Sequence, residues 1–175
     1  FVRANPNLEV SLSTTNTPIS LTKLEADVVL RITNNPPDYL FGRKIIDLKY
    51  AVYASGALVN QVGMDAPYED YPWIHHTEQI QSDWMDLWLK KNAPNASISF
   101  RVDSAVTARQ AVESGVGVHF LPSSYAKLQP NLVRVGSEVG EVSLWFLTHP
   151  DLKTNGRVKA FSDFMFKELR VDNLD

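Results

Sequence analysis

A chain of 175 residues with 44% hydrophobic content can bury one sizeable core or two small lobes, which excludes disorder as its dominant state. Lys and Arg total 17 against 20 Asp and Glu, a net charge of −3, so no positive field is available to neutralise a run of phosphates and this chain alone is not expected to grip nucleic acid. Cysteine is absent, which removes disulfides, thiolate nucleophiles and the strongest zinc patterns and favours a reducing, cytosolic setting; no apolar run approaches the roughly 18 residues of a spanning helix.

In chain order, Phe1–Arg3 reads as the last turn of a helix that begins upstream, and Asn5–Pro6–Asn7 breaks it. Leu8–Ser13 alternates apolar and polar residues and predicts a strand with one wet side. Ile19, Leu21 and Leu24 recur at helical spacing within Pro18–Ala26, and Asp27–Ile32 is a short apolar strand, so strand, helix and strand predict a βαβ unit with a parallel sheet. Pro36–Pro37 forces a loop. Ile45–Ala54 is rich in β-branched and aromatic residues and predicts a long strand. Ser55–Pro72 supports a short helix near Leu58 and a loop, after which Trp73–Ile74 starts a short strand or buried turn.

Trp84, Leu87, Trp88 and Lys91 recur at three and four, with Met85 and Leu89 widening the apolar face, which predicts a helix over Gln81–Lys91 ended by Asn92–Ala93–Pro94. Core packing is the default for this aromatic stripe, and a subunit contact is the alternative. Ser97–Val102 predicts a strand, Ser104–Ser114 a helix with Ala105, Ala108, Ala111 and Val112 inward, and Val116–Leu121 a strand, so that a second βαβ unit echoes the first. The VESGVGVHFLP run, Val112–Pro122, joins that helix to its strand through Gly115 and Gly117. Their expected use is structural, because the full glycine-rich phosphate fingerprint and its strand-to-helix placement are absent. Leu132–Val135 and Val142–Leu147 predict two further strands, and Val158, Phe161, Met165 and Leu169 a final helix from about Gly156 to Leu169.

Other polar groups read as structural. His75–His76 point to opposite sides of a strand with no second ligand pair, so a surface or loop role is expected and no metal or cofactor. His119 and His149 could report pH if buried near a carboxylate, with backbone hydrogen bonding the plainer role for His149. Ser123–Ser124–Tyr125 fit a capped helix start better than a nucleophile. An enzyme would need an acid–base pair, and Asp103 with His119 is the least poor candidate.

Taken in order, Pro6–Asn7–Leu8, Leu24–Arg31, Tyr53–Ala54–Ser55, Tyr68–Ile74, Gly115–Val118 through Leu121–Pro122, Leu144–Trp145, and Thr148–Leu152 leading to Arg157–Phe161 resemble the effector-binding domain of LysR-type transcriptional regulators. The phrases cover nearly the whole chain. Where many relatives have Ser-Pro-x-Tyr-Leu, this chain has Ser55–Val59 as SGALV.

The resemblance implies an α/β fold of the periplasmic-binding-protein-like type II, two Rossmann-like lobes joined by two crossing strands, with residues 1–49 plus 145–175 as lobe one and 50–144 as lobe two. It implies a non-catalytic, cytoplasmic sensor of a small effector, homodimeric or homotetrameric in the intact protein, that reaches DNA through an N-terminal helix-turn-helix and does not touch membranes. A periplasmic solute-binding protein of the same fold is the alternative. The cleft residues implied are Thr14, Thr15, Asn16 and Thr17 in the first lobe and Asp103, Ser104 and Ala105 in the second. Hydroxyls and free helix N–H groups collect ligands at such strand ends. The plainer readings are a polar turn for the first set and a simple N-cap for Ser104. An inward Asp103 would favour an amine or hydroxyl on the effector over a carboxylate.

Overall fold

The protein is described by a computed structural model over residues 1–14, 21, 25–77 and 83–169. The chain divides into two compact units, residues 1–48 with 142–175 and residues 49–141. Two long strands, β2 (Phe41–Ser55) and β6 (Leu132–Thr148), carry the chain from one unit into the other.

In the first unit, β1 (Val28–Ile32) pairs antiparallel with β6, Val28 opposite Thr148 and Ile32 opposite Leu144. This corrects the expectation of a parallel first βαβ unit: local alternation marks a strand without specifying the direction of its partner. Leu8–Ser13 forms no strand, because an extended segment becomes one only where a ladder partner takes its N–H and C=O groups. The helix expected over Pro18–Ala26 falls almost entirely outside the described residues, of which Leu21 is buried. Phe1–Arg3 is met by a single 3₁₀ turn, Val2–Ala4.

The C-terminal helix α5 (Gly156–Glu168) is capped by Asn155, whose side-chain oxygen accepts from the N–H groups of Arg157 and Val158. Its Phe161 and Phe164 meet Phe1 edge-on at 5.2 and 5.5 Å, and Phe161 and Phe166 flank Phe146 of β6. Ser143, at the start of this unit's part of β6, donates its hydroxyl to Asp47 and its N–H to the side-chain oxygen of Asn34, which ties the Pro36–Pro37 loop to the sheet.

The second unit holds a parallel βαβ unit: β3 (Trp73–His76), α2 (Asp83–Asn92) and β4 (Ile98–Val102), with Trp73 opposite Ile98, His76 opposite Val102 and a register shift between Trp73 and Ile74. On the other side of β3, Val118 continues the parallel pattern, its N–H donating to Pro72 and its carbonyl accepting from Ile74. The adjoining β5 (His119–Pro122) instead pairs antiparallel with Tyr50–Tyr53 of β2. The expected second strand–helix–strand repeat is therefore present, but its last strand changes partner and direction after Val118.

Helix α3 (Ala105–Glu113) buries Ala108, Ala111 and Val112 on a core with Ile74, Val102, Leu121 and Tyr53, whereas Ala105 is exposed, one turn too early to reach that face. The tryptophan stripe of α2 packs inward in part: Met85 is buried, while the half-buried Trp88 meets Tyr68, Trp73 and Phe120 and the half-buried Trp84 meets Tyr50 and Phe120. Leu87 is left on the wet side. A short helix α1 (Gly56–Val62) opens on Ser55, whose buried Oγ accepts from Leu58, and α4 (Ser123–Ala126) opens on Pro122 without the side-chain cap expected of its serines.

Candidate functional site

The site expected in the second unit lies at the carboxyl ends of β3 and β4. Both strands run parallel, so their last residues, Thr77 after β3 and Asp103–Ser104 after β4, emerge at the same sheet edge, and Thr77 N–H donates to the Val102 carbonyl at 2.8 Å to keep them side by side.

Ser104 is the N-cap residue of α3 with extended backbone, φ −139° and ψ 132°, and its carbonyl accepts the first intrahelical bond from Ala108. Its hydroxyl makes no capping bond, contrary to the plain N-cap reading. The first N–H groups of a helix have no intrahelical acceptor, and without a cap from the N-cap side chain they remain available as donors at the positive end of the helix dipole. Asp103 beside it is exposed, and Ala105 contributes backbone and no more than a methyl group.

Sequence reasoning missed Thr77. Its Oγ1 is buried and, among the described residues, has no hydrogen-bond partner, a costly arrangement for a hydroxyl. The signal was there: Thr77 follows a parallel strand, and carboxyl ends of parallel strands are where ligands gather, but its burial depends on residues far away in sequence.

Behind Thr77 lies a histidine pair. His76 and His119 meet edge to face at 4.7 Å, and His119 Nδ1 is held by the Ile74 carbonyl at 2.9 Å. Both are buried, which corrects the surface or loop role expected of His75–His76. Burial, with the nearby His75 as second cause, pushes His76 down to about 4, and burial followed by His76 pushes His119 down to about 3. Among the described residues the groups acting on His119 are the Ile74 carbonyl, His76 and His75, and neither a carboxylate nor Asp103 is one of them. His149 does bond backbone, its Nδ1 accepting from Asp151 N–H at 3.3 Å.

Gly115 and Gly117 serve structure. Gly115 takes φ +78° against Ser55, and a Cβ on Gly117 would stand 2.5 Å from the Pro72 carbonyl oxygen, inside the ladder between Val118 and β3.

In the first unit Thr14 is exposed. Thr15, Asn16 and Thr17 lie outside the described residues. Among the described residues no cluster of three or more His, Asp or Glu could hold a metal ion, and no helix is long and apolar enough to cross a membrane.

The sequence profile of the LysR substrate binding domain matches residues 1–170. The chain belongs to that family. LysR substrate binding domains are regulatory and non-catalytic, and the domain works in transcription regulation through effector binding. Among solved structures, the chain is similar to the regulatory domain of CrgA, a LysR-type transcriptional regulator from Neisseria meningitidis, at 20% identity with TM-score 0.82, over 97% of this chain and 88% of that one. It is similar to the AmpR effector binding domain from Citrobacter freundii at 18% identity with TM-score 0.76, over 96% and 86%. It also matches a variant of full-length AphB at 17% identity with TM-score 0.70, over 94% of this chain and 59% of that longer one. These likenesses show the fold, a two-lobe α/β fold of the periplasmic-binding-protein kind. No curated protein matches the LysR domain described here.

Proposed function

We propose that this LysR domain binds a small polar effector between its two lobes, with the open N-terminus of α3, Ser104 and Thr77 forming the second lobe's share of the site and Thr14–Thr17 the first lobe's. The lobes are taken as residues 1–49 plus 145–175 and 50–144, a type II arrangement in which β2 and β6 are the crossing strands. The observation that carries the reading is Thr77: a buried hydroxyl without a partner, beside an uncapped helix N-terminus, at the edge where parallel strands deliver ligand contacts. Ser104 and Thr77 offer hydroxyls that both donate and accept.

Effector binding that differs between open and closed lobes shifts the balance between them, and only that difference in affinity can do so. In the intact, oligomeric cytoplasmic protein the shift would be passed to a DNA-binding helix-turn-helix outside this chain. The full-length AphB variant, longer than this chain, and the transcriptional-regulator relatives support that arrangement. The test is a thermal-shift screen of small polar metabolites followed by calorimetry on each hit. A hit that binds the chain and fails to bind Ser104→Trp supports the site, and one bound equally by both rules it out.

A further inference from the structure

A pocket of about 320 Å³ opens inside the second unit between α2 and the β3–β4 ladder, and its lining includes none of Thr77, Asp103 and Ser104. Its floor is apolar, made by Leu89 and Ala93, both buried, at the end of α2, and by Ile98 at the start of β4. Its rim carries His75, Asp86, Lys90 and Arg101. The acid on that rim is already engaged, since Asp86 Oδ1 lies 2.9 Å from His75 Nε2, and the other ring nitrogen of His75 faces the His76 carbonyl at 3.1 Å. The rim's two fixed cations are Arg101 and Lys90. Arg101 gives one N–H to the His76 carbonyl at 3.1 Å, which anchors its guanidinium, and forms no ion pair among the described residues. Lys90, in the last turn of α2, forms no ion pair among the described residues.

We propose that this pocket binds a small organic monoanion, a carboxylate carried on a short apolar body. The volume is at the lower end of what ligand sites offer, which sets the size of that body to a single ring or a short branched chain. An anchored guanidinium presents paired donors to the two oxygens of a carboxylate, and Lys90 adds a second, mobile charge from the helix side. Leu89, Ala93 and Ile98 take the apolar part out of water. A neutral molecule of the same shape gains the floor and loses both cations. The site is separate from the Ser104–Thr77 edge and does not depend on the reading of that edge.

The test is an amide NMR titration of the isotope-labelled chain with cyclohexanecarboxylate, repeated with cyclohexylmethanol and with the Arg101→Gln and Lys90→Gln variants. The expected result is saturable shifts centred on Leu89, Ala93, Ile98 and Arg101, with affinity reduced about tenfold by Arg101→Gln, less by Lys90→Gln, and about tenfold weaker for the alcohol. Should Arg101→Gln lose its folded spectrum, Lys90→Gln, an exposed site, and the acid-to-alcohol comparison still decide the matter. Non-saturating shifts, equal binding of acid and alcohol, or shifts centred on Thr77 and Ser104 would overturn the proposal.

Discussion

Thr77 separates stability from function at a single hydroxyl. Among the described residues its buried Oγ1 has no partner, so Thr77→Val, nearly the same shape, removes an unmet polar group and is expected to leave stability unchanged or raise it by about 1 kcal/mol in urea denaturation. Under the proposed site the same change is expected to weaken effector binding measured by calorimetry, because the proposal makes the effector the partner of that hydroxyl. A Val variant that loses stability by more than that and keeps its affinity would mean that the hydroxyl is bonded in the folded chain. His76 and His119 make a second residue-scale prediction. Their folded values, about 4 and about 3, lie below the ordinary 6.5, so above pH 6.5 both are neutral in folded and unfolded chains and contribute nothing to pH dependence. As pH falls below 6.5 the unfolded chain takes up protons that the folded one refuses. Stability therefore drops by about 1.4 kcal/mol per pH unit for each histidine, until the folded rings protonate near 4 and 3. His76→Phe is expected to flatten the curve of unfolding free energy between about pH 6 and 4.5; an unchanged slope would remove the pair from that role.

At the scale of elements, the glycines of the Val112–Pro122 run can be set against one elsewhere. A Cβ on Gly117 meets the Pro72 carbonyl at 2.5 Å and the Ile74 side chain at 3.2 Å, and backbone in a ladder cannot give way cheaply. Gly117→Ala is expected to cost more than about 2 kcal/mol and to broaden the amide signals of Trp73 and Val118. Gly156 at the start of α5 meets nothing within 4 Å, and its alanine variant should stay within about 1 kcal/mol of the parent. Thermal unfolding of the two variants side by side checks both. The helices were legible in the sequence because an apolar stripe of period 3.6 states its own face: Met85 and Leu89, Ala108 and Val112, and Val158 are buried where the spacing put them. Strand partners were not. Leu8–Ser13 alternates and Val28–Ile32 is a nearly continuous apolar run, both strand signals, yet only the second finds a ladder. β6 runs through Gly136, with φ +74°, where a polar, glycine-bearing stretch read as an interruption. Of the site, Ser104 was legible because serine before a helical stripe is a local signal. Thr77 and the buried histidines were not, because their burial is decided by β5 and α3, which come much later in the chain.

For the whole molecule, the division into units at Leu48/Lys49 and Glu141/Val142 is the property on which the proposed sensing rests: each unit is compact in itself, and two strands pass between them. A sensor of this kind needs stable halves and a ligand that distinguishes their arrangements, since binding that treats both alike moves nothing. Family membership over residues 1–170 supplies the regulatory role, and the proposed site adds the chemistry, an α3 end whose Ser104 side chain makes no capping bond and the Thr14–Thr17 segment of the sequence. The most direct test is calorimetric titration of the chain and of Ser104→Trp with a small polar compound first found to raise the melting temperature. Binding to the chain is expected, with a loss of at least about tenfold in affinity in the variant while both proteins remain folded. Equal affinity in the two would contradict an effector site at the open end of α3.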